Sequence, residues 1–558
     1  LMVAMLLVGV AVPVVATLLS ALLIWRYRAA VARAMSTTAG FVQQPTSAAE
    51  TTTTVDVSRN TVDADRRAAM QRLLTKGPWC SARHYLVGAI AFALVFTAAA
   101  HVAYPHHLAM AGTLIAAWIY LWPYFLAVPM LVDMPWKLHL VWFAFYVGVY
   151  ALLGIWAGSI LDIPGYRFGA VDIPARSSVT PDGMLRLWFA VNLVPSVLAL
   201  VSLNRRFRAV APLVLALVTA AVSGLLGVYL AVFSEAGVDV VVAAATAMDL
   251  HVVWPLLATL VVTLSLFSVL GWYAMKAIAT AYKRRRLSDQ SLLIGVLWLL
   301  FASIYTMWLV VDDTRWLLVL PGAMLALILA TSLARRATRQ TAIAPAGLVF
   351  LRVFSLGRRS ERLFDTIAKH WRNIGSVQLI TGPDLSRSTV QPQQFLDFLS
   401  GRLRRHFVSD HASLQRSLAE RDRGVDPDGR FRVNGFFCHA DSWQAVLPRL
   451  VDGGDIVLMD LRSFSPSNAG CTYELAFLVS HVPFRRCLLI SDPTTDERLV
   501  DEVLANSLHS CLPTSPNAGR PLSELTRYRG TTGRIETTAL LQQLCENACR
   551  SRAHTGSR

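Results

Sequence analysis

What most restricts this chain is a series of uncharged apolar runs, each long enough to cross a lipid bilayer. A helix rises about 1.5 Å per residue and the hydrocarbon core is about 30 Å thick, so roughly 20 apolar residues make one crossing. Residues 1–25 (LMVAMLLVGVAVPVVATLLSALLIW) reach that length without a charged side chain. Eight further candidates follow, at about 85–104, 108–132, 138–161, 184–203, 209–233, 250–275, 291–311 and 316–333. Nine crossings would place the two chain ends on opposite faces. The composition agrees: charged residues are 16% and hydrophobic residues 54% of the chain, against about 25% charged in soluble domains. A purely soluble enzyme is excluded.

Orientation follows from where Lys and Arg fall, because short cytoplasmic loops retain them. Arg26, Arg28 and Arg33, then Arg205, Arg206 and Arg208, the run Lys283 to Arg286, and Arg335, Arg336 and Arg339 all lie on one side of a nine-span chain. The opposite loops, at 105–107, 162–183, 234–249 and 312–315, are poor in positive charge. This predicts a multi-pass protein of a bacterial-type inner membrane, N-terminus outside and C-terminal region cytoplasmic. A signal peptide carries its positive charge ahead of the apolar run; here the charges follow, so the first run reads as a retained span. The chain begins at Leu1, which leaves the natural start codon open.

The net charge of +16 raises the question of a polyanionic partner. Residues 341–558 hold 27 Lys/Arg against 22 Asp/Glu, leaving 25 against 14 for residues 1–340. The basic excess therefore flanks the membrane. Nucleic-acid binding asks for a basic stripe with interleaved aromatics, and the C-terminal half mixes both signs, so nucleic acid is not expected as a partner. All seven cysteines fall on the predicted cytoplasmic side and should be reduced. Cys545 and Cys549, one helical turn apart, could join His509 and Cys511 around zinc, but paired C-x-x-C spacing is missing and buried thiols are the simpler reading.

Transport usually shows as ionisable side chains inside the spans. Here Asp133, Lys137, Asp249 and His251 sit at span ends. Asn192, Pro123, Pro195 and Pro255 are the mid-span irregularities, and a packing Asn or a helix kink accounts for each. His101, His106 and His107 gather at an outer boundary. Residues 26–84, with the Ser/Thr/Ala-rich run Thr46 to Thr54, read as a polar cytoplasmic linker carrying a short amphipathic helix near 64–74.

From Leu348 the pattern changes to short β-rich runs alternating with helical stretches: 348–354, 376–380, 431–437, 455–459 and 486–490. Between them, 361–370, 394–407, 442–451, 472–479 and 497–508 read as helices. Such alternation predicts a doubly wound parallel sheet over 345–512, with 513–558 as a polar extension. The expected architecture is thus a multi-pass α-helical membrane domain over 85–335, followed by an α/β Rossmann-like cytoplasmic domain. Ligands of such sheets bind beyond the carboxyl ends of the strands. Those positions carry Gly357 with Arg358 and Arg359, then Asp384, His439, Asp441, and Arg462 with Ser465 and Ser467. Arginines beside a helix start suit a phosphate, although neither a Walker A nor a G-x-G-x-x-G sequence is present. Ser360 before Glu361 reads as a helix cap.

The sharpest local sequence is Asp455-Ile-Val-Leu-Met-Asp-Leu-Arg-Ser-Phe-Ser-Pro-Ser-Asn-Ala-Gly-Cys-Thr-Tyr-Glu-Leu. It resembles the core of TIR domains, in which a strand and a serine-containing loop lead to a helix bearing Cys-x-x-Glu-Leu. The resemblance spans some 20 residues, and Gly470 stands where that family usually has an aromatic. It implies a TIR-like fold, with Glu474 in the place of the glutamate that supports cleavage of the nicotinamide glycosidic bond of NAD. His439 and Asp441 are candidate acid/base partners near the same edge. The expected function is a membrane-anchored sensor or effector binding NAD or another nucleotide-like ligand. The rivals are a transporter or channel with a regulatory domain, and a scaffold whose partner is another protein or a second copy of the chain.

Overall fold

The computed structural model describes residues 2–38, 40, 60–104, 110–132, 134–160, 166–168, 171–173, 181–202, 210–310, 313–338, 345–353, 358–382, 385, 390–452, 455–530 and 536–552. Arg205, Arg206, Arg208, Arg339, His106, His107, Asp133 and the Thr46 to Thr54 run lie outside them. The chain divides into two compact units, Leu1–Ile24 with Pro78–Arg339, and Trp25–Gly77 with Gln340–Arg558.

The first unit is helical and multi-pass. Among the described residues, eight helices are long and apolar enough to cross a membrane. The segment expected at 209–233 forms the helix Ala211–Val232, of which Ala211–Val222 qualifies as a shorter apolar helix. Two features depart from the simple pattern. The segment expected at 108–132 is broken at Leu121 into Met110–Tyr120 and Trp122–Leu131, with Pro123 in the first turn of the second piece. Residues read as an outer loop at 234–249 instead form the helix Glu235–Ala247, which Ser234 caps by accepting from the Gly237 amide.

Helix association in lipid relies on close packing and interhelical hydrogen bonds. Both occur in this unit. Gly271 of helix Val253–Lys283 lies so close to helix Ala211–Val232 that an added Cβ would stand 2.9 Å from the Leu217 carbonyl oxygen. Asn192 is fully buried and its Oδ1 accepts from the Tyr305 hydroxyl at 2.6 Å. The Tyr305 ring packs on Tyr120 at 4.8 Å and on Phe96 at 5.4 Å. Asn192 therefore takes the packing role expected of a mid-span amide.

The second unit is a seven-stranded sheet in the order β5-β6-β4-β3-β7-β8-β9, every neighbouring pair parallel. The strands are β3 (Leu348–Arg352), β4 (Val377–Thr381), β5 (Phe407–Val408), β6 (Val433–Cys438), β7 (Ile456–Asp460), β8 (Cys487–Ser491) and β9 (Thr526–Arg529). β1 (Tyr166–Phe168) and β2 (Val171–Ile173) form a separate antiparallel pair in the first unit. All five residues of β3, β4, β7 and β8 are buried, as covering a parallel sheet on both faces requires.

Alternation along each strand divides these side chains between two cores. Val349, Leu351, Val457, Met459 and Leu489 face Val446, Leu450, Leu475, Leu478 and Leu504 of helices Trp443–Val451, Ala469–His481 and Glu497–His509. Leu348, Phe350, Ile456, Leu458 and Ile490 face the opposite core. That second core draws on regions which sequence reading left outside the domain. Met70 and Leu74, from the stretch read as a linker, are buried in it. So are Leu540, Leu541, Leu544, Cys545, Ala548 and Cys549 of helix Thr537–Arg552, from the stretch read as a polar extension. The same stretch supplies β9. The sheet unit thus reaches beyond the expected 345–512 at both ends.

Removing a buried aliphatic side chain costs its transfer energy and leaves a cavity, together about 2–5 kcal/mol for Leu→Ala. Leu544→Ala should therefore lower the melting temperature of the sheet unit. A chain cut after Leu512 should lose protease resistance in that unit, and full resistance of the shortened chain would contradict the assignment of 513–558 to the core.

Candidate functional site

The chain leaves β3 toward β4 and β6 on one side of the sheet, then returns beside β3 as β7 and continues outward to β8 and β9. Loops leaving β3 and β7 at their carboxyl ends therefore run in opposite directions, the place where parallel sheets bind ligands. At this edge the register pairs Arg352 with Asp460. Both are buried strand-end charges, which demand partners.

Asp460 is the centre of the cluster. Its Oδ1 accepts from Arg462 Nε at 2.7 Å and its Oδ2 from Arg462 Nη2 at 2.7 Å. Ser360 Oγ donates to Oδ2 at 3.4 Å. Arg462 Nη2 also donates to the Arg359 carbonyl at 3.3 Å, tying the loop after β7 to the helix Arg358–Trp371. Ser360 lies inside that helix and binds Asp460, so the cap expected of it is replaced by a role at the sheet edge. Arg352 donates through Nη1 to the Ile380 carbonyl at 3.1 Å. Arg359, half-exposed, brings Nη2 to 3.8 Å from Asp492 Oδ2, at the end of β8.

Glu474 lies one helical turn from Cys471 and Leu478 and next to Leu475 on the buried face of Ala469–His481. The helix is fixed over β3 by Cys471 Sγ, 3.6 Å from the Arg352 carbonyl. Glu474 is 2% exposed and its Oε2 has no hydrogen-bond partner among the described residues. Burial pushes its pKa up to about 8, against the opposing influence of the Arg352 guanidinium. A carboxyl held neutral near pH 7 can donate a proton, or become a carboxylate when a cation settles beside it.

The loop joining β7 to this helix is ordered by its own serines. Ser465 Oγ meets Ser467 Oγ at 2.9 Å and Asn468 Oδ1 at 3.0 Å. Ser463 adopts a φ of +57°, a left-handed conformation uncommon for a residue with a Cβ. Its amide donates to Thr494 Oγ1 at 3.1 Å, across to the loop after β8. Such local strain is typical of functional loops.

The expected site residues thus separate into groups. Glu474, Arg359, Arg462, Ser465 and Ser467 belong to the loops and helices at the β3/β7/β8 edge. Arg358 begins a helix there, but its side chain is outside the described residues, as is Asp384 entirely. His439 and Asp441 follow β6, where they hold the end of the helix Met2–Met35 and the residues after it. His439 Nδ1 lies 2.8 Å from the Ala34 carbonyl and 3.0 Å from Thr37 Oγ1, and Asp441 Oδ2 accepts from the Gly40 amide at 2.8 Å. Both residues are engaged in that anchoring.

The cysteines are distributed across the fold. Cys545 and Cys549 lie in one core, whereas Cys511 packs against the other. Among the described residues no three His, Cys, Asp or Glu side chains form a metal-binding group. Burial pushes the Cys487 and Cys545 thiols up to about 12, which makes them poor nucleophiles. Sequence reading passed over Arg352, Asp460 and Asp492. The available signal was a charge at the carboxyl end of an otherwise apolar strand, as in LVFLR and IVLMD.

Fold and edge together define a multi-pass membrane protein carrying a parallel-sheet unit with a buried carboxyl at its topological switch. No protein-family model, curated protein or solved structure matches the chain.

The folded chain retains the Glu474 proton to about pH 8, whereas the ordinary value is 4.5. Between those values the folded state binds more protons than the unfolded state, so stability falls as pH rises through the window. Glu474→Gln should flatten that fall and raise stability above pH 8 by on the order of a few kcal/mol. Denaturant melts at pH 5 and pH 9 read the effect, and equal slopes in both proteins would refute it. Arg462→Ala leaves Asp460 buried without its ionic partner and should cost about 3–5 kcal/mol in the same melts.

Proposed function

We propose that this chain is a membrane-anchored sensor or effector of a bacterial-type inner membrane, with its N-terminus outside and its sheet unit cytoplasmic. The sheet unit binds a nucleotide-like anion at the β3/β7 edge. The observation that carries this reading is Glu474, buried with an oxygen unpartnered among the described residues, on the helix that follows β7 where the sheet order reverses. Buried polar atoms are otherwise almost always paired, and strongly shifted carboxyls concentrate at functional sites.

The topology supports a Rossmann-like reading. With the two-residue strand β5 set aside, β6-β4-β3-β7-β8-β9 follows the 3-2-1-4-5-6 order of doubly wound dinucleotide-binding sheets. The resemblance of 455–475 to TIR domains narrows the ligand to NAD, whose nicotinamide ring is a cation. A cation beside Glu474 favours its ionised form, so the proton leaves as the ring docks. The resulting carboxylate stabilises the oxocarbenium character that develops as the ribose–nicotinamide bond breaks and water takes the leaving group's place. Arg462 is neutralised by Asp460, so phosphate falls to Arg358, Arg359 and the amides at the start of their helix.

Purified full-length protein in detergent should melt at higher temperature with NAD, because a ligand of the folded state stabilises by mass action. It should also release nicotinamide, with Glu474→Gln reducing turnover by about a hundredfold or more. Release at the wild-type rate from the variant would remove Glu474 from the chemistry. No thermal shift with any nucleotide would reject the site and turn attention to solute flux through the membrane unit.

A further inference from the structure

The first apolar run ends at Trp25, which is exposed, and Arg26 follows it. Tryptophan at the end of a span sits at headgroup level. Two residues on, about 3 Å further along the helix axis, Tyr27 is fully buried and its ring meets Phe398 edge-on at 5.4 Å. Phe398 belongs to the helix Pro392–Leu399. After it the chain reverses at Gly401, whose φ is +71°, and enters the 3-10 turn Leu403–His406, anchored by buried Leu403. This aromatic contact joins the helix that leads into the turn to the segment that follows the first apolar run.

The charge on the turn is one-sided. Residues 25–35 and 395–410 contain Arg26, Arg28, Arg33, Arg402, Arg404 and Arg405 against Asp397 and Asp410. Both aspartates are committed locally. Asp397 lies 2.8 Å from His406 Nε2 and 3.4 Å from Arg402 Nη2. Asp410 caps the helix His411–Ala419 by accepting from the Ser413 amide at 2.7 Å. Arg404 and Arg405 are exposed, and neither has an acidic partner among the described residues.

We propose that Arg404 and Arg405 form a docking surface for the phosphate of anionic phospholipid headgroups, alongside Arg26 at the end of the span. Two features commit the surface to lipid rather than to a soluble anion. The helix that leads into it packs on Tyr27, two residues beyond Trp25, and its cations stand exposed on a short turn. Arginine suits the role because its planar guanidinium can meet two phosphate oxygens at once. The surface lies outside the β3/β7 edge, so the nucleotide reading and this one stand or fall separately.

The test uses full-length protein in neutral detergent, titrated with phosphatidylglycerol or phosphatidylcholine while its melting temperature and retained lipids are followed. Phosphatidylglycerol should stabilise and be retained; phosphatidylcholine should do neither. Each arginine near an anionic surface contributes about 1 kcal/mol, so Arg404→Gln with Arg405→Gln should move the titration about ten- to thirtyfold toward higher lipid. Without lipid the double variant should melt with wild type, since both side chains are exposed. Added salt should weaken the wild-type response. Equal effects of the two lipids, an unchanged titration in the variant, or the same stabilisation by free glycerol phosphate would each overturn the proposal.

Discussion

The ion pair between Asp460 and Arg462 is what allows the sheet unit to end its central strands in charge. A carboxylate at the carboxyl end of a doubly covered strand lies beyond the reach of bulk water, and its burial is tolerable only with excellent pairing. Arg462 supplies that pairing on both oxygens, at 2.7 Å each. The same guanidinium reaches the Arg359 carbonyl, while Ser360 reaches back to Asp460. One buried charge thus fixes the exit of β7, the start of the helix after β3 and the spacing between them. The edge is organised around a neutralised pair, and Glu474 is a buried carboxyl outside that pair.

Its strands were legible because a sheet covered on both faces leaves an unmistakable trace: short runs such as LVFLR and IVLMD, apolar at nearly every position. The limits of the domain were less so. Helix Thr537–Arg552 alternates Leu and Cys with Gln, Glu and Asn, so only one stripe is apolar, and its mean composition reads as polar. Met70 and Leu74 are likewise two apolar residues in a charged surround. A helix that covers one side of a sheet needs only a stripe, and a composition average conceals it. The core of β3 and β7 is therefore completed by segments nearly 500 residues apart, as the approach of Cys549 Sγ to Met70 Sδ at 4.0 Å shows.

The apolar runs of the membrane unit gave away its helices but little of their detail. Runs of Leu, Val and Ala define length, whereas the break at Leu121 and the helix Glu235–Ala247 depend on local chemistry. Ser234 and the apolar stretch beyond it are a capped helix in a segment read as a loop between two spans. Asn192 was recognisable as an anomaly from sequence, but its meaning came from its partner, Tyr305, 113 residues away.

The candidate ligand residues among those described divide between two places, the end of β6 and the β3/β7 edge. His439 and Asp441 have the side chains of an acid/base pair, and they hold Ala34, Thr37 and Gly40 by hydrogen bonds. Glu474 was singled out from sequence by its Cys-x-x-Glu-Leu context, and what the fold adds is its surroundings, built by Arg352 and by the packing of Ala469–His481 on the sheet. Arg352 draws Glu474 toward the ionised form while burial holds it back. The balance between these influences, rather than either residue by itself, sets the hold of Glu474 on its proton. A site of this kind is written in the register between β3 and β7, which juxtaposes residues more than 100 positions apart. The local motif over 455–475 contains Asp460 and Glu474 but not Arg352.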